Sequence, residues 1–160
     1  LGNALPKVYM GWTNTFRYKN FDLSMQFTGQ FGFKILNEAR CFYENNSIAY
    51  NRLKSANDEP YGCGYKLSSA QKQTFVSYYL ENGDFLKLSS ATLAYNVPLK
   101  ENKYVKVARV YLSGTNLFTI TGYKGLDPEL SNSDVQASGI DWRDKYPSIR
   151  SFTLGVNLTF

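Results

Sequence analysis

The sequence predicts an all-β fold in which antiparallel strands belong to a transmembrane β-barrel. Three observations lead to this prediction: apolar and polar residues alternate in five segments, the connections alternate between short and long, and aromatic residues are abundant. Alternation with a period of two gives a strand one apolar and one polar face. Of the 160 residues, 43% are hydrophobic and 16% are aromatic, including 13 Tyr and 11 Phe, which suit pleated strands.

The five alternating segments are the predicted strands. They cover residues 8–18, 21–31, 85–97, 105–118 and 151–160. In the third segment, Leu86 and Leu88 fall on the opposite parity from Leu93. Because a slip of one residue moves every side chain to the other face, the sequence predicts a β-bulge near Ser89 and Ser90.

The connections between these segments alternate in length. Residues 19–20 and 98–104 form short connections, whereas residues 32–84 and 119–150 form long ones. Outer-membrane barrels join their strands by short periplasmic turns and longer extracellular loops. We therefore expect the two long connections to be extracellular loops. Residues 36–50 contain good helix formers, which predicts some helix within the first of them.

Aromatic residues collect at both ends of the predicted strands. The end with short turns carries Phe16, Tyr18, Phe21, Tyr95, Tyr104 and Phe160, and the end with long loops carries Phe31, Phe33, Phe85, Phe118 and Phe152. Aromatic rings settle at the level of the lipid headgroups, so a membrane barrel has one aromatic girdle at each interface. The two clusters are predicted to be these girdles.

Composition argues against catalysis and against nucleic-acid binding. The formal net charge is +5, but Lys and Arg are scattered and form no basic block. The absence of His removes the commonest general base, and no nucleophile–base pair is visible. We therefore predict no enzyme activity, no catalytic residue and no cofactor.

Acidic residues in the second long connection offer oxygen ligands of the kind that calcium uses. They are Asp127, Glu129, Asp134, Asp141 and Asp144. Their spacing does not match an EF-hand, so we interpret them as solvated loop carboxylates and predict no metal site.

Cys41 and Cys63 are the only cysteines, and their spacing matches no zinc motif. Both lie in the first long connection, where a disulfide is possible if the loop is exported. The alternative is two free thiols, and the sequence leaves both possibilities open.

Five strands are too few to close a barrel, because bacterial barrels begin at about eight strands. Five strands alone would leave open edges and a large apolar band in water. The chain is therefore expected either to join other strands or to be part of a longer protein. No secretory signal follows Leu1, which favours the second expectation.

Several stretches, in this order and spacing, resemble the C-terminal end of SusC/RagA-type TonB-dependent transporters. They are residues 12–24, 84–88, 92–98, 109–119, 125–129 and 146–150. The stretch 109–119, Arg-Val-Tyr-Leu-Ser-Gly-Thr-Asn-Leu-Phe-Thr, is similar to the family pattern RVYxSGxNLFT, and Gly-Leu-Asp-Pro-Glu at 125–129 is similar to GxDPE. The likeness covers nearly the whole chain.

The resemblance implies a plugged barrel of the 22-strand class, of which this chain supplies the last five strands. It implies a bacterial outer-membrane location, and a plug domain and a TonB contact outside this chain. It also implies a SusD-like surface lipoprotein as partner, and import of an oligosaccharide or a peptide. Outer-membrane lipid and the barrel-assembly machinery are further expected partners.

Two groups of residues are candidates for contact with a transported solute. Arg109 and Tyr111, with other polar residues at 22, 26 and 30, lie on the face expected to line the pore. The alternative is that they hydrate the barrel interior, which is polar whatever the substrate. Tyr123, Trp142 and Tyr146 lie in the second long connection and offer rings that stack on sugars, or that pack within the loop.

The last segment resembles the signal by which the barrel-assembly machinery recognises outer-membrane proteins. Thr153, Gly155, Leu158 and Phe160 carry the pattern. The physical basis would be strand addition, in which an unpaired edge offers backbone hydrogen bonds. The alternative is an ordinary amphipathic strand.

Three rival functions remain open from the sequence. The first two are a TonB-dependent receptor for an iron chelate or cobalamin, and a small passive barrel. The third is a soluble β-sandwich carbohydrate-binding module, which would bury the apolar faces of the strands in a core.

Overall fold

The computed structural model describes residues 1–47, 51–58, 77–99, 104–129 and 138–160. The chain divides into two compact units. The loop unit comprises Leu1–Lys7, Phe31–Asp84 and Thr121–Pro147, and the strand unit comprises Val8–Gln30, Phe85–Ile120 and Ser148–Phe160.

The strand unit is a single five-stranded sheet. Its strands are β1 (Val8–Tyr18), β2 (Phe21–Phe31), β5 (Phe85–Asn96), β6 (Val107–Thr121) and β8 (Ser151–Thr159), and they lie side by side in that order. β2 pairs with β5 and β6 pairs with β8, both antiparallel. β6 begins two residues later and ends three residues later than the predicted segment 105–118, since Ile120 continues its alternation.

The register of β6 and β8 places the apolar residues of one strand opposite those of the other. Leu112 faces Leu154, and Tyr111 faces Gly155. Every apolar residue of β8 therefore meets an apolar residue or a glycine of β6 on one face of the sheet, here called the apolar face. The opposite face, here called the polar face, carries the hydroxyl, amide and charged side chains.

The predicted β-bulge is confirmed. The register of β2 and β5 shifts between Gln26, which faces Ser90, and Phe27, which faces Leu88. Ser89 is the extra residue, and its hydroxyl forms a hydrogen bond with that of Thr28. The bulge moves Leu88 onto the apolar face.

Two of the aromatic residues predicted for the girdle at the long-loop end of the strands do not lie on the apolar face. Phe85 faces Gln30 and therefore lies on the polar face, where it is buried. Phe33 is also buried, in the loop unit, where its ring occupies the space beside Gly83. Phe118 is exposed, as a girdle residue should be. The prediction was wrong for Phe33 and Phe85, because it counted aromatic residues without fixing the face of each.

The loop unit contains a small sheet that no pattern in the sequence predicts. Its strands lie in the order β4 (Leu80–Asn82), β3 (Lys34–Asn37) and β7 (Ile140–Asp141), and β3 pairs antiparallel with β4 and parallel with β7. Strands of two to four residues are too short to show a periodic pattern. They are paired by contacts between segments far apart in the sequence.

One α-helix, α1 (Glu38–Tyr43), lies within the segment 36–50 for which helix was predicted. It begins after Asn37, whose side chain accepts a hydrogen bond of 2.8 Å from the backbone N–H of Arg40 and so caps the helix. In the part of the chain that the structure describes, 3-10 turns cover Lys54–Asn57 and Ser77–Tyr79. Across the described ranges, no helix has both the length and the apolar character needed to cross a membrane.

Candidate functional site

The apolar face of the strand unit is open. Leu112 is 50% exposed although β6 has a neighbouring strand on each side, and Leu154, directly opposite it, is 74% exposed. Phe152, Val156 and Leu158 of β8 are also exposed. Soluble proteins rarely leave a continuous apolar surface of this kind in water. The face is therefore built to meet apolar surroundings, and not to close a core as a β-sandwich would.

The polar face is held together by side-chain hydrogen bonds across strands. The hydroxyls of Thr92 on β5 and Ser113 on β6 lie 2.9 Å apart, and the Ser90 hydroxyl donates to Gln26 of β2 over 3.4 Å. These groups are short and polar, so they satisfy one another without forming an apolar layer. This face suits contact with water or with a polar solute.

A charged cluster lies on the polar face near the two-residue turn between β1 and β2. One carboxylate oxygen of Asp22 accepts a hydrogen bond of 2.8 Å from Nε of Arg17, and the other accepts one of 2.9 Å from the amide of Asn96. Nη2 of Arg109 lies 3.9 Å from the second oxygen. The structure thus brings two of the predicted pore-lining residues, Asp22 and Arg109, into one cluster.

Tyr111 covers the glycine of β8. A Cβ atom added to Gly155 would lie 2.3 Å from Cζ of Tyr111, so the ring lies directly over the glycine backbone. Packing of an aromatic ring on a strand glycine restores the contact surface that the glycine lacks. Tyr111 therefore has a structural role on the polar face in addition to its candidacy as a solute contact.

Buried ion pairs hold the loop unit together. Arg40 of α1 donates to Glu44 over 2.7 Å and to Glu81 of β4 over 2.9 Å, and all three side chains are largely buried. Burial opposes the charge of the guanidinium, but the hydrogen bonds to Glu81 and Glu44 outweigh it and keep the pKa of Arg40 above its usual value. Ser55 also donates to Glu44, which ties a further segment to the helix.

Tyr123 is a buried structural residue in this unit, which corrects its assignment as a stacking surface. Its side chain is only 6% exposed, and its hydroxyl donates a short hydrogen bond of 2.5 Å to Asp141 of β7. Burial, followed by the hydrogen bond to Asp141, raises the pKa of Tyr123 above its usual value. Burial also raises the pKa of Asp141, although the Tyr123 hydroxyl opposes this shift. The ring is committed to the fold, so no face is left for a sugar.

Trp142 and Tyr146, the other two loop candidates, remain accessible. Trp142 is 42% exposed and Tyr146 is 84% exposed. Trp142 follows β7 directly, and the next backbone N–H, that of Arg143, donates 3.0 Å to Glu38 of α1. The position of Trp142 is thus held by residues of both long connections, and its ring stays exposed.

The remaining expectations for this unit concern cysteine and metal. Cys41 is buried with a free thiol, and burial raises its pKa to about 11. Cys63 lies outside the described residues, as does Asp134. Among the residues described, no three His, Cys, Asp or Glu side chains come close enough together to hold a metal ion.

A sheet with one open apolar face, one hydrogen-bonded polar face and its long connections folded separately defines a class of protein: this is part of the wall of a transmembrane β-barrel. No family model matches the chain. It is 31% identical over 176 residues to the TonB-dependent receptor P3 of Formosa agariphila, a match that covers all of this chain and 17% of that protein. It is also 31% identical to the TonB-dependent receptor SusC of Bacteroides thetaiotaomicron, over 96% of this chain and 15% of SusC.

Solved structures give the same result. The structure of the RagAB peptide transporter matches with a TM-score of 0.81 and 29% identity, over 98% of this chain and 17% of that one. The chain belongs to the SusC/RagA-type TonB-dependent receptors, of which it is a partial, C-terminal segment. It spans about a sixth of the length of the relatives it matches. Those relatives are receptors of a transport system and not enzymes.

Proposed function

We propose that the complete protein imports an oligosaccharide or a peptide across the bacterial outer membrane in a TonB-dependent manner. This chain supplies the last five strands of a barrel of the 22-strand class, together with the loops 32–84 and 119–150, which face the outside of the cell. It supplies wall, loop and assembly functions and carries out no catalysis. Likeness to SusC and to the RagAB peptide transporter supports both classes of solute.

The observation that carries this proposal is the open apolar face of the strand unit. Leu112 and Leu154 lie opposite each other and are exposed, on a strand pair whose other face is polar. Exposure of apolar surface to water costs roughly 25 cal/mol per Å² in free energy. Contact with lipid removes this cost. The polar face then lines the interior of the barrel.

The proposed partners follow from the loop unit and from the family. A SusD-like surface lipoprotein would cover the extracellular loops, and the TonB complex would act through a plug domain outside this chain. Trp142 and Tyr146 are the proposed solute contacts of this segment, because both are exposed and Trp142 is held by β7 and α1. Flat aromatic faces suit sugar rings and peptide side chains alike.

The last strand has a proposed role in assembly. β8 pairs with β6 on one side, and in the described residues its other edge has no partner strand. Thr153, Gly155, Leu158 and Phe160 carry the assembly pattern, and the last two are exposed. An unpaired edge with fixed side-chain alternation can be read by strand addition, which is the mode we propose for the barrel-assembly machinery.

Uptake measurements test the transport proposal. Cells that express the full-length receptor and its SusD-like partner would be supplied with separate fluorescently labelled pools of oligosaccharides and of peptides. We expect accumulation of one pool, and its loss when TonB is deleted. Accumulation that persists without TonB would contradict the proposal and would favour a passive barrel.

A receptor for an iron chelate or for cobalamin is the alternative within the same class. It predicts competition by ferric siderophores or cobalamin, and growth that depends on the receptor under iron or cobalamin limitation only. The likeness to SusC and RagAB favours the oligosaccharide or peptide solute.

A further inference from the structure

Arg109 occupies a distinctive place on the polar face. It is the third residue of β6 and lies opposite Asn157 of β8 in the register. Its side chain is 41% exposed. The cluster around it lies at the end of the strand unit that carries the two-residue turn between β1 and β2.

The guanidinium of Arg109 has hydrogen-bond donors that no described residue accepts from. It carries five N–H donors, yet it makes no hydrogen bond to any residue that the structure describes. Its Nε is shielded from solvent and has no acceptor among those residues. The 3.9 Å between Nη2 and Asp22 is an ionic contact and is too long for a hydrogen bond. A partly shielded donor group without an acceptor is unfavourable unless a further partner supplies one.

Asp22 does not fill this role, because it lies 3.9 Å from Nη2 of Arg109 while each of its oxygens accepts a hydrogen bond from another side chain. One binds Arg17 at 2.8 Å and the other binds Asn96 at 2.9 Å. Asp22 is only 15% exposed, whereas Arg17 is 77% exposed. Two guanidinium groups therefore share one carboxylate, and the cluster presents one uncompensated positive charge away from the sheet.

We propose that Arg109 binds a carboxylate on the polar face, with Asn157 beside it. The planar guanidinium matches the two oxygens of a carboxylate in a bidentate pair. One carboxylate balances the single excess charge of the cluster, whereas a phosphate dianion would exceed it. The location of the site inside a barrel rests on the proposed function. The carboxylate comes either from a solute, such as a peptide or an acidic sugar, or from an acidic side chain of the rest of the polypeptide inside the barrel.

Binding of a matched pair of probes separates the two sources. Full-length receptor in detergent would be mixed with N-acetylglycine or with N-acetylglycinamide, which lacks the charge, and binding would be followed by saturation-transfer NMR. For a solute site, we expect a signal from the acid only, and a signal about tenfold weaker in Arg109→Gln. Arg150→Gln is the control, because it removes an exposed guanidinium of the same unit outside the cluster. It should leave the signal unchanged.

Thermal unfolding tests the second possibility, that the carboxylate belongs to an acidic side chain of the polypeptide. If a carboxylate of the polypeptide already occupies Arg109, neither probe binds the wild type. In that case Arg109→Gln lowers the Tm of the full-length receptor by about 2 °C or more, and the decrease persists in an Asp22→Asn background. Loss of the decrease in that background would assign it to the contact with Asp22.

The proposal is overturned if the acid binds the Arg109→Gln variant with the same strength as it binds the wild type. It is also overturned if the acid binds neither protein and the Tm of Arg109→Gln is unchanged, or falls only when Asp22 is present. These measurements need no TonB and no uptake. A receptor that transports in a TonB-dependent manner but fails them would refute only the carboxylate site. A receptor that passes them without transporting would refute only the proposed import.

Discussion

A charge placed on the apolar face should be costly, and the same charge on the polar face should not. Leu112→Arg tests this on β6, an internal strand, so that exposure at a sheet edge is not involved. Thr115→Arg on the same strand is the matched control, because Thr115 is exposed on the polar face opposite Ser151. Both changes add the same guanidinium to the same strand; they differ in the face that receives it and, by three residues, in position along the strand.

The expected magnitude follows from the position of Leu112 in the membrane. β8 has nine residues, which at about 3.4 Å per residue and a tilt of about 40° cover roughly 23 Å of the membrane normal, close to the height of an apolar band of about 25 Å. Leu112 faces Leu154, one residue from the middle of that strand. An Arg near the bilayer midplane costs about 2–4 kcal/mol, whereas an Arg at an exposed polar position changes stability by about 0.5 kcal/mol or less.

The measurement is equilibrium unfolding of the full-length receptor in lipid bilayers with guanidinium chloride, compared among the wild type and the two variants. Leu112→Arg should lower the free energy of unfolding by the larger amount, and Thr115→Arg should be close to the wild type. Equal losses in the two variants would refute the assignment of the apolar face to lipid. So would a loss that is larger for Thr115→Arg.

Three further changes test other parts of the structure. Gly155→Val should lower the free energy of unfolding by about 1–3 kcal/mol, because its Cβ would lie 2.3 Å from the Tyr111 ring. In denaturant titrations, adding Tyr111→Ala to this variant should restore part of the lost stability. No restoration would contradict the contact between Tyr111 and Gly155. Arg40→Met should leave the buried carboxylates of Glu44 and Glu81 without their ion-pair partner, at a cost of about 3–5 kcal/mol in stability. Limited proteolysis should then cut the loop unit faster than in the wild type. An unchanged rate of cleavage would contradict a stabilising role for these ion pairs. Iodoacetamide should label Cys41 at pH 8 about a hundredfold more slowly than an ordinary thiol, because the raised pKa of Cys41, about 11, leaves little thiolate. Labelling of Cys41 in the wild type at the rate of a cysteine in a free peptide would contradict its burial.

The strand unit could be predicted from the sequence because its information is local. Alternation along 151–160 marks one face of β8, and the parity change before Leu93 marks the bulge at Ser89. A strand with one lipid face repeats its signal every second residue, so a single segment suffices. The aromatic girdle was less well predicted, since Phe85 has the right residue type but lies on the polar face because of the bulge.

The loop unit could not be predicted because its information is not local. Tyr123 and Trp142 are both aromatic residues of the second long connection that a basic residue follows, yet one is buried against Asp141 and the other is exposed. No periodic pattern separates them, since β7 has only two residues. The exposure of an aromatic residue here is decided by its partners in the fold, which the sequence alone does not identify.

Those partners couple the two long connections to each other. Arg143 N–H donates to Glu38, 105 residues earlier, and Asp141 lies opposite Asn37 in the parallel pairing of β7 with β3. The segment that presents Trp142 is therefore held by residues of the first loop. A change in the first loop that displaces Glu38 should move Trp142 without touching the second loop. With Trp142 as a solute contact, as proposed, exchanging one loop alone between relatives should therefore disrupt solute binding more than exchanging both.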